Sequence, residues 1–185
     1  MVILVTGGSR SGKSSFAMER AARGEAPHLF LATAQALDGE MERRIEAHRA
    51  ARPAAWGLVE EPVAVPAALQ AARRQARTVV VDCLTVWMAN LLLADESFGE
   101  AEASRHALAL LAAARDPAGT DPGRAGLVIV VTNEVGSGIV PDNALARRFR
   151  DCAGRANQVL AAGADEVNLL VSGLPFCLKQ SKGTP

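Results

Sequence analysis

VILVTGGSRSGKSS, residues 2–15, is the stretch that decides the fold. Val2, Ile3, Leu4 and Val5 form a continuous apolar run, as expected of a strand buried on both faces of a parallel sheet. Behind it comes G-x-x-x-x-G-K-S, the Walker A pattern, with Gly7, Gly12, Lys13 and Ser14 in the fixed places. Gly7, Gly8 and Gly12 let the backbone take conformations that a Cβ forbids. The loop amides can then converge on phosphate oxygens, at the positive end of the next helix. Lys13 is expected to reach the β- and γ-phosphates, and the Ser14 hydroxyl to ligate Mg²⁺. The helical stretch KSSFAMERAAR follows and stops at Gly24, with Arg20 and Arg23 in its last turn, where cations suit the helix dipole. A strand before the loop and a helix after it predict a site for a nucleoside triphosphate with Mg²⁺.

Further strands are expected at 28–33, 78–82, 127–132 and 166–172, with the first at 2–6. Helices are expected at 13–23, 38–51, 62–76, 85–95, 100–115 and 142–162. Strands alternating with helices imply right-handed crossovers and a mostly parallel sheet with helices on both faces. The expected class is therefore α/β, a three-layer fold of the P-loop NTPase type, in a single domain over 1–185. Ligands in such folds bind at the carboxyl ends of the strands. The expected strand ends there are polar: Thr6, Thr33, Asp82, Thr132 and Ser172. The Gly-, Pro- and Asp-rich segment 116–126 is expected to be a flexible connection, and the tail QSKGTP to fray.

Twenty basic and twenty acidic side chains cancel, which argues against a broad basic surface for nucleic acid and favours a small-molecule partner. Cys83, Cys152 and Cys177 are far apart and odd in number, which reads as reduced thiols in a cytoplasmic protein. No signal peptide is expected, since the phosphate loop begins almost at Met1. VVVDCLTVWMANLLLA, residues 79–94, is the most apolar stretch, but Asp82 and Asn90 interrupt it and no membrane span is expected.

Asp82 closes the run Thr78-Val79-Val80-Val81-Asp82. An acid at that place, downstream of a phosphate loop, is the pattern of the Mg²⁺-assisting aspartate. A cap on the following helix is the other role open to it, and the two are compatible. Thr132-Asn133-Glu134-Val135-Gly136-Ser137-Gly138 makes either a substrate loop or a plain strand-to-helix connection. It lacks the N-K-x-D pattern by which switch GTPases read guanine.

DGEMERRIEAHRAAR, residues 38–52, predicts a helix capped by Asp38, with Met41, Ile45 and His48 on one face. Arg44, Arg49 and Arg52 surround His48 in sequence. Arginines bind phosphoryl oxygens, and a neutral imidazole can attack phosphorus. Nearby positive charge keeps the imidazole neutral. From the residues alone, a solvated face is the more ordinary reading of such a helix.

Several stretches together carry a resemblance: VTGGSRSGKS at 5–14, ATAQALDGEMERRIEAHRAARPAAW at 32–56, VVVDCLTVWMANLL at 79–92, VVTNEVGSGIVPDNALARRFRDCAGRANQ at 130–158 and ADEVNLLVSGLP at 164–175. By these the chain resembles the bifunctional adenosylcobinamide kinase / adenosylcobinamide-phosphate guanylyltransferase family of cobalamin biosynthesis. The resemblance implies phosphorylation of the aminopropanol hydroxyl of adenosylcobinamide by a nucleoside triphosphate, ATP or GTP. It then implies GMP transfer from GTP to adenosylcobinamide phosphate through a GMP-histidine intermediate, with release of pyrophosphate. The nucleophile falls on His48, preceded here by Ala47 where some relatives carry a second histidine. Gly7, Gly8, Ser9, Arg10, Ser11, Gly12, Lys13 and Ser14 are implied to hold the GTP phosphates. Ala32, Thr33, Ala34, Arg49, Ala50, Ala51, Arg52, Glu60 and Asp82 are implied to line the nucleotide site. Glu60 rests on the resemblance alone. A propeller-like homotrimer is also implied. Arg147, Arg148 and Arg150 make either a phosphate or corrinoid patch or a solvated helix face. A simple P-loop small-molecule kinase and a nucleotide-dependent switch are the competing functions.

Overall fold

The structure, a computed structural model, describes residues 1–36, 39–116 and 126–180, and at 40, 41, 44, 47, 48 and 51 the backbone alone. The expected cap at Asp38, most of the connection at 116–126 and the tail beyond Gln180 lie outside the described residues. Among the described residues the chain runs β1 (Val2–Gly7), α1 (Lys13–Ala22), β2 (His28–Ala32), α2 (Gly39–Ala51), β3 (Gly57–Glu60), α3 (Val65–Arg73) and β4 (Thr78–Asp82). It continues through α4 (Leu84–Ala94), α5 (Glu100–Arg115), β5 (Leu127–Val131), α6 (Ala144–Gly163), β6 (Glu166–Val171) and β7 (Leu174–Gln180).

The strands form one sheet in the order β3-β2-β4-β5-β1-β6-β7, parallel except for β7, which runs antiparallel to β6. Strand alternation explains why β1 shows no polar period. Val2 and Leu4 join the core cluster built with α3, α4, α5 and α6, while Ile3 and Val5 join the opposite cluster with Ala17 and Ala21 of α1. Both faces of β1 are thus apolar, and its polar residue Thr6 falls at its carboxyl end. β5 lies between β1 and β4, with Val131 beside Val5 and beside Asp82. That placement puts the phosphate loop and Asp82 on either side of the end of β5.

Two strands were not expected from the sequence. β3 is only four residues long at the sheet edge, and its residues are exposed or half-buried, so no buried period marks it. β7 carries Pro175, which demotes a run as a central strand but is tolerated at an edge. The expected strand through Ser172 ends at Val171. Ser172 (φ 50°) and Gly173 (φ 84°) both take left-handed backbone and turn the chain into β7. α3 is shorter than expected because its entry is set by Pro66 in the first turn, while Glu61 accepts from the Val63 and Ala64 amides at 2.8 Å.

Candidate active site

Lys13 and Ser14 open α1, and their positions are set by the loop before them. Gly7 has φ 148°, and a Cβ there would collide with the Leu170 carbonyl oxygen of β6. Gly12, at φ 93°, is the residue from which α1 starts. The loop is therefore pinned to the sheet at one end and to a helix at the other. Lys13 is buried, and its Nζ donates to the Gly8 carbonyl at 2.5 Å and to Ser11 Oγ at 3.4 Å, inside the curve of the loop.

Asp82 ends β4, and its Oδ2 accepts from Ser14 Oγ at 2.9 Å across 68 residues of sequence. The two oxygens are hard donors of the kind that Mg²⁺ takes, with one or two protein ligands and the rest from water and phosphate. Ser14 and Asp82 fit that ion. The helix-cap role does not fall to the Asp82 side chain: the cap of α4 is Cys83, whose Sγ accepts from the Val86 amide at 3.4 Å. Burial pushes the Cys83 thiol up to about 12, so it stays protonated and unreactive.

Above these groups lies a cavity of about 370 Å³. Ser9, Asp82 and Glu134 are on its wall from the strand ends, with Ala32 and Ala34 from the segment after β2. Ile45, Arg49 and Arg52 reach it from α2 and its end, and Glu60 from β3. Phe30, Leu58, Val86 and Phe149 make it apolar enough to hold a flat ring or a hydrocarbon surface. Arg49 donates to Glu60 Oε1 at 2.6 Å, which ties α2 to β3, and that contact raises the Arg49 guanidinium further above its usual range. Arg52 lies over the Phe30 ring at 5.5 Å.

The structure thus brings together the phosphate loop, Asp82, Ala32, Ala34, Arg49, Arg52 and Glu60. Thr33 is adjacent but turned away. It is fully buried, its hydroxyl donates to the Cys83 carbonyl at 2.9 Å and accepts the Cys83 amide at 2.9 Å, and it braces the end of β4. Ala50 is exposed. The side chains of His48 and Ala51 lie outside the described residues, although the backbone of both runs within α2. The apolar wall (Phe30, Leu58, Val86, Phe149) was not anticipated, since each of these reads as an ordinary core residue in sequence. Glu134 was part of a noted loop, but its partners Thr6 and Asn157 are distant in the chain. Arg147 donates to the Pro141 and Asp142 carbonyls at 2.8 and 2.6 Å, so it braces the loop before α6.

The family model described as cobinamide kinase / cobinamide phosphate guanyltransferase matches residues 3–178. The chain belongs to this family. It is 45% identical over 179 residues to a bifunctional adenosylcobalamin biosynthesis protein CobP of Pseudomonas aeruginosa, covering 95% of this chain and 96% of that one. It is 42% identical over 191 residues to the bifunctional adenosylcobalamin biosynthesis protein CobU of Salmonella typhimurium, covering 97% and 100%. The CobU of Escherichia coli K12 is 43% identical over 190 residues, with the same coverage. Membership makes this protein a transferase of cobalamin biosynthesis that acts as a kinase and a guanylyltransferase. Among solved structures, a prototypical ATPase from the type III secretion system of pathogenic bacteria superposes with a TM-score of 0.59 at 15% identity. The match covers 92% of this chain and spans about half (51%) of that one, and it places the sheet and loop in the P-loop NTPase fold. Among the described residues no helix is long and apolar enough to cross a membrane.

Proposed function

We propose that this cavity serves two successive reactions. In the first, the aminopropanol hydroxyl of adenosylcobinamide takes the γ-phosphoryl group of ATP or GTP. In the second, GMP passes from GTP to adenosylcobinamide phosphate by way of His48. The observation that carries this reading is the bond from Ser14, beside Lys13 at the start of α1, to Asp82, which with Ser9 of the loop lines a cavity that α2 walls. Ile45 and Arg49, three residues before His48 and one after it, are on that wall.

The residues divide the work by chemistry. Loop amides and Lys13 hold the β- and γ-phosphates and oppose the charge that develops during transfer. Ser14 and Asp82 would hold Mg²⁺, which neutralises triphosphate charge when bound. In guanylyl transfer a neutral imidazole nitrogen of His48 forms a bond to the α-phosphorus, and the bond to the bridging oxygen breaks with its electron pair, releasing pyrophosphate. An oxygen of adenosylcobinamide phosphate then attacks the same phosphorus, and the P–N bond breaks. Ala32, Ala34, Arg49, Arg52 and Glu60 would receive the guanosine. Work at the cytoplasmic nucleotide pool suits this chemistry. A homotrimer is supported by β7, an edge strand on which Leu174, Phe176 and Leu178 are 73%, 65% and 54% exposed. Phe176→Asp is expected to convert trimers to monomers in sedimentation.

The test is label transfer. With Mg²⁺ and GTP labelled at the α-phosphate, acid-labile and alkali-stable label is expected on the denatured chain. His48→Ala is expected to remove that label and all guanylyl transfer while leaving phosphorylation. A GTP-binding protein that never takes label would be a simple kinase.

A further inference from the structure

A carboxylate at the edge of a phosphate site repels its anionic ligand, so its placement calls for a reason. Glu134, three residues beyond β5, is such a group, and it is fixed to the phosphate loop. Its backbone N–H donates to the Gly7 carbonyl at 3.0 Å. Its Oε1 accepts from Thr6 Oγ1 at 2.6 Å and from Asn157 Nδ2 at 3.4 Å. Asn157 is itself held: its Oδ1 accepts from the buried Thr132 hydroxyl at 2.7 Å and its Nδ2 donates to the Asn133 carbonyl at 3.1 Å. Both side-chain anchors fall on Oε1. Among the described residues Oε2 makes no hydrogen bond, and Glu134 is on the wall of the same cavity as Asp82 and Ser9. Asp82 is already engaged by the Ser14 hydroxyl.

We infer that Glu134 is the general base of the phosphoryl-transfer step, taking the proton of the attacking hydroxyl on Oε2. The inference rests on the kinase reading above. The hydroxyl oxygen forms a bond to the γ-phosphorus, and the bond from that phosphorus to the β–γ bridging oxygen breaks, its electron pair leaving on the nucleoside diphosphate. The hydroxyl proton passes to Oε2. Thr6 and Asn157 aim the carboxylate before substrate arrives, as a positioned base requires. The second reaction has no such need, because its acceptor is a phosphate oxygen with no hydroxyl proton to remove. One carboxylate therefore serves one half-reaction only.

Glu134→Gln separates the roles, since its amide oxygen can still accept from Thr6 and Asn157 but cannot take a proton at this pH. Two assays are run on the full chain: phosphorylation of adenosylcobinamide, and GMP transfer to preformed adenosylcobinamide phosphate. The expected result is a fall of about 10²- to 10⁴-fold in kcat for phosphorylation, nucleotide affinity unchanged or tighter, and GMP transfer retained. Near-wild-type phosphorylation, equal loss of both reactions, or a raised Mg²⁺ requirement would each overturn the assignment. Should that variant not fold, Glu134→Ala is assayed with formate, which is expected to restore phosphorylation; a folded variant indifferent to formate overturns the assignment. Wild-type protein that transfers no phosphoryl group defeats the kinase reading itself, a separate failure.

Discussion

The loop after β1 and the α2–β3 wall border one cavity, yet they are built on different principles. At the phosphate loop, geometry comes from the backbone: Gly7 passes under Leu170, Gly12 starts α1, and Lys13 and Ser14 follow at fixed spacing. At the wall, geometry comes from side chains that cross between elements. Arg49 and Glu60, 51% and 47% exposed, join α2 to β3, an edge strand of four residues. The first region can be rigid without its ligand. The second is held by contacts that water competes for, which suits a wall that has to admit a large substrate.

The largest effect that sharpens this contrast is at Lys13. Lys13→Ala is expected to lower both half-reactions by about 10²- to 10³-fold, because the proposed function has both nucleotides place charge on the same loop. Rates of phosphorylation and of GMP transfer, measured separately, check it. Loss of phosphorylation alone would mean that the two reactions use different nucleotide sites, and the one-cavity comparison would break.

Thr33 comes next, because the resemblance puts it among the nucleotide-binding residues while the structure bonds it to Cys83. Thr33→Val leaves the buried Cys83 amide without its acceptor. A loss of about 1–3 kcal/mol in urea unfolding is expected, with the KM for GTP unchanged. A raised KM with unchanged stability would move Thr33 to the nucleotide and would make the strand ends less rigid than the contrast holds.

What the sequence revealed follows the same division. β1, its loop and the strand-terminal Asp82 obey local rules of steric freedom and apolar runs, and the structure has them where those rules put them. β3 escaped notice because Gly57–Glu60 is too short and too exposed to show a period, so Glu60 could be placed only through a family resemblance. Ser172 looked like a strand end by its company, but its φ of 50° belongs to a turn. The Thr6–Glu134 bond spans 128 residues, and no spacing rule connects such a pair; only the parallel neighbours β5 and β1 do. Local chemistry was readable, and chemistry assembled across strands was not.

The smallest effect lies in the Arg49–Glu60 pair, and it tests the other side of the contrast. A double-mutant cycle of Arg49→Ala and Glu60→Ala in urea unfolding is expected to give a coupling no larger than the small range that exposed ion pairs show. The same cycle read on the KM for GTP should give a clear rise in each single variant, because both side chains are on the cavity wall. A pair that is weak for the fold and strong for the ligand is what a yielding wall requires. Coupling well above that range in stability would make the α2–β3 junction part of the rigid scaffold. Access for the corrinoid would then have to come from elsewhere on the rim, with the loop after β5 as the next segment to vary.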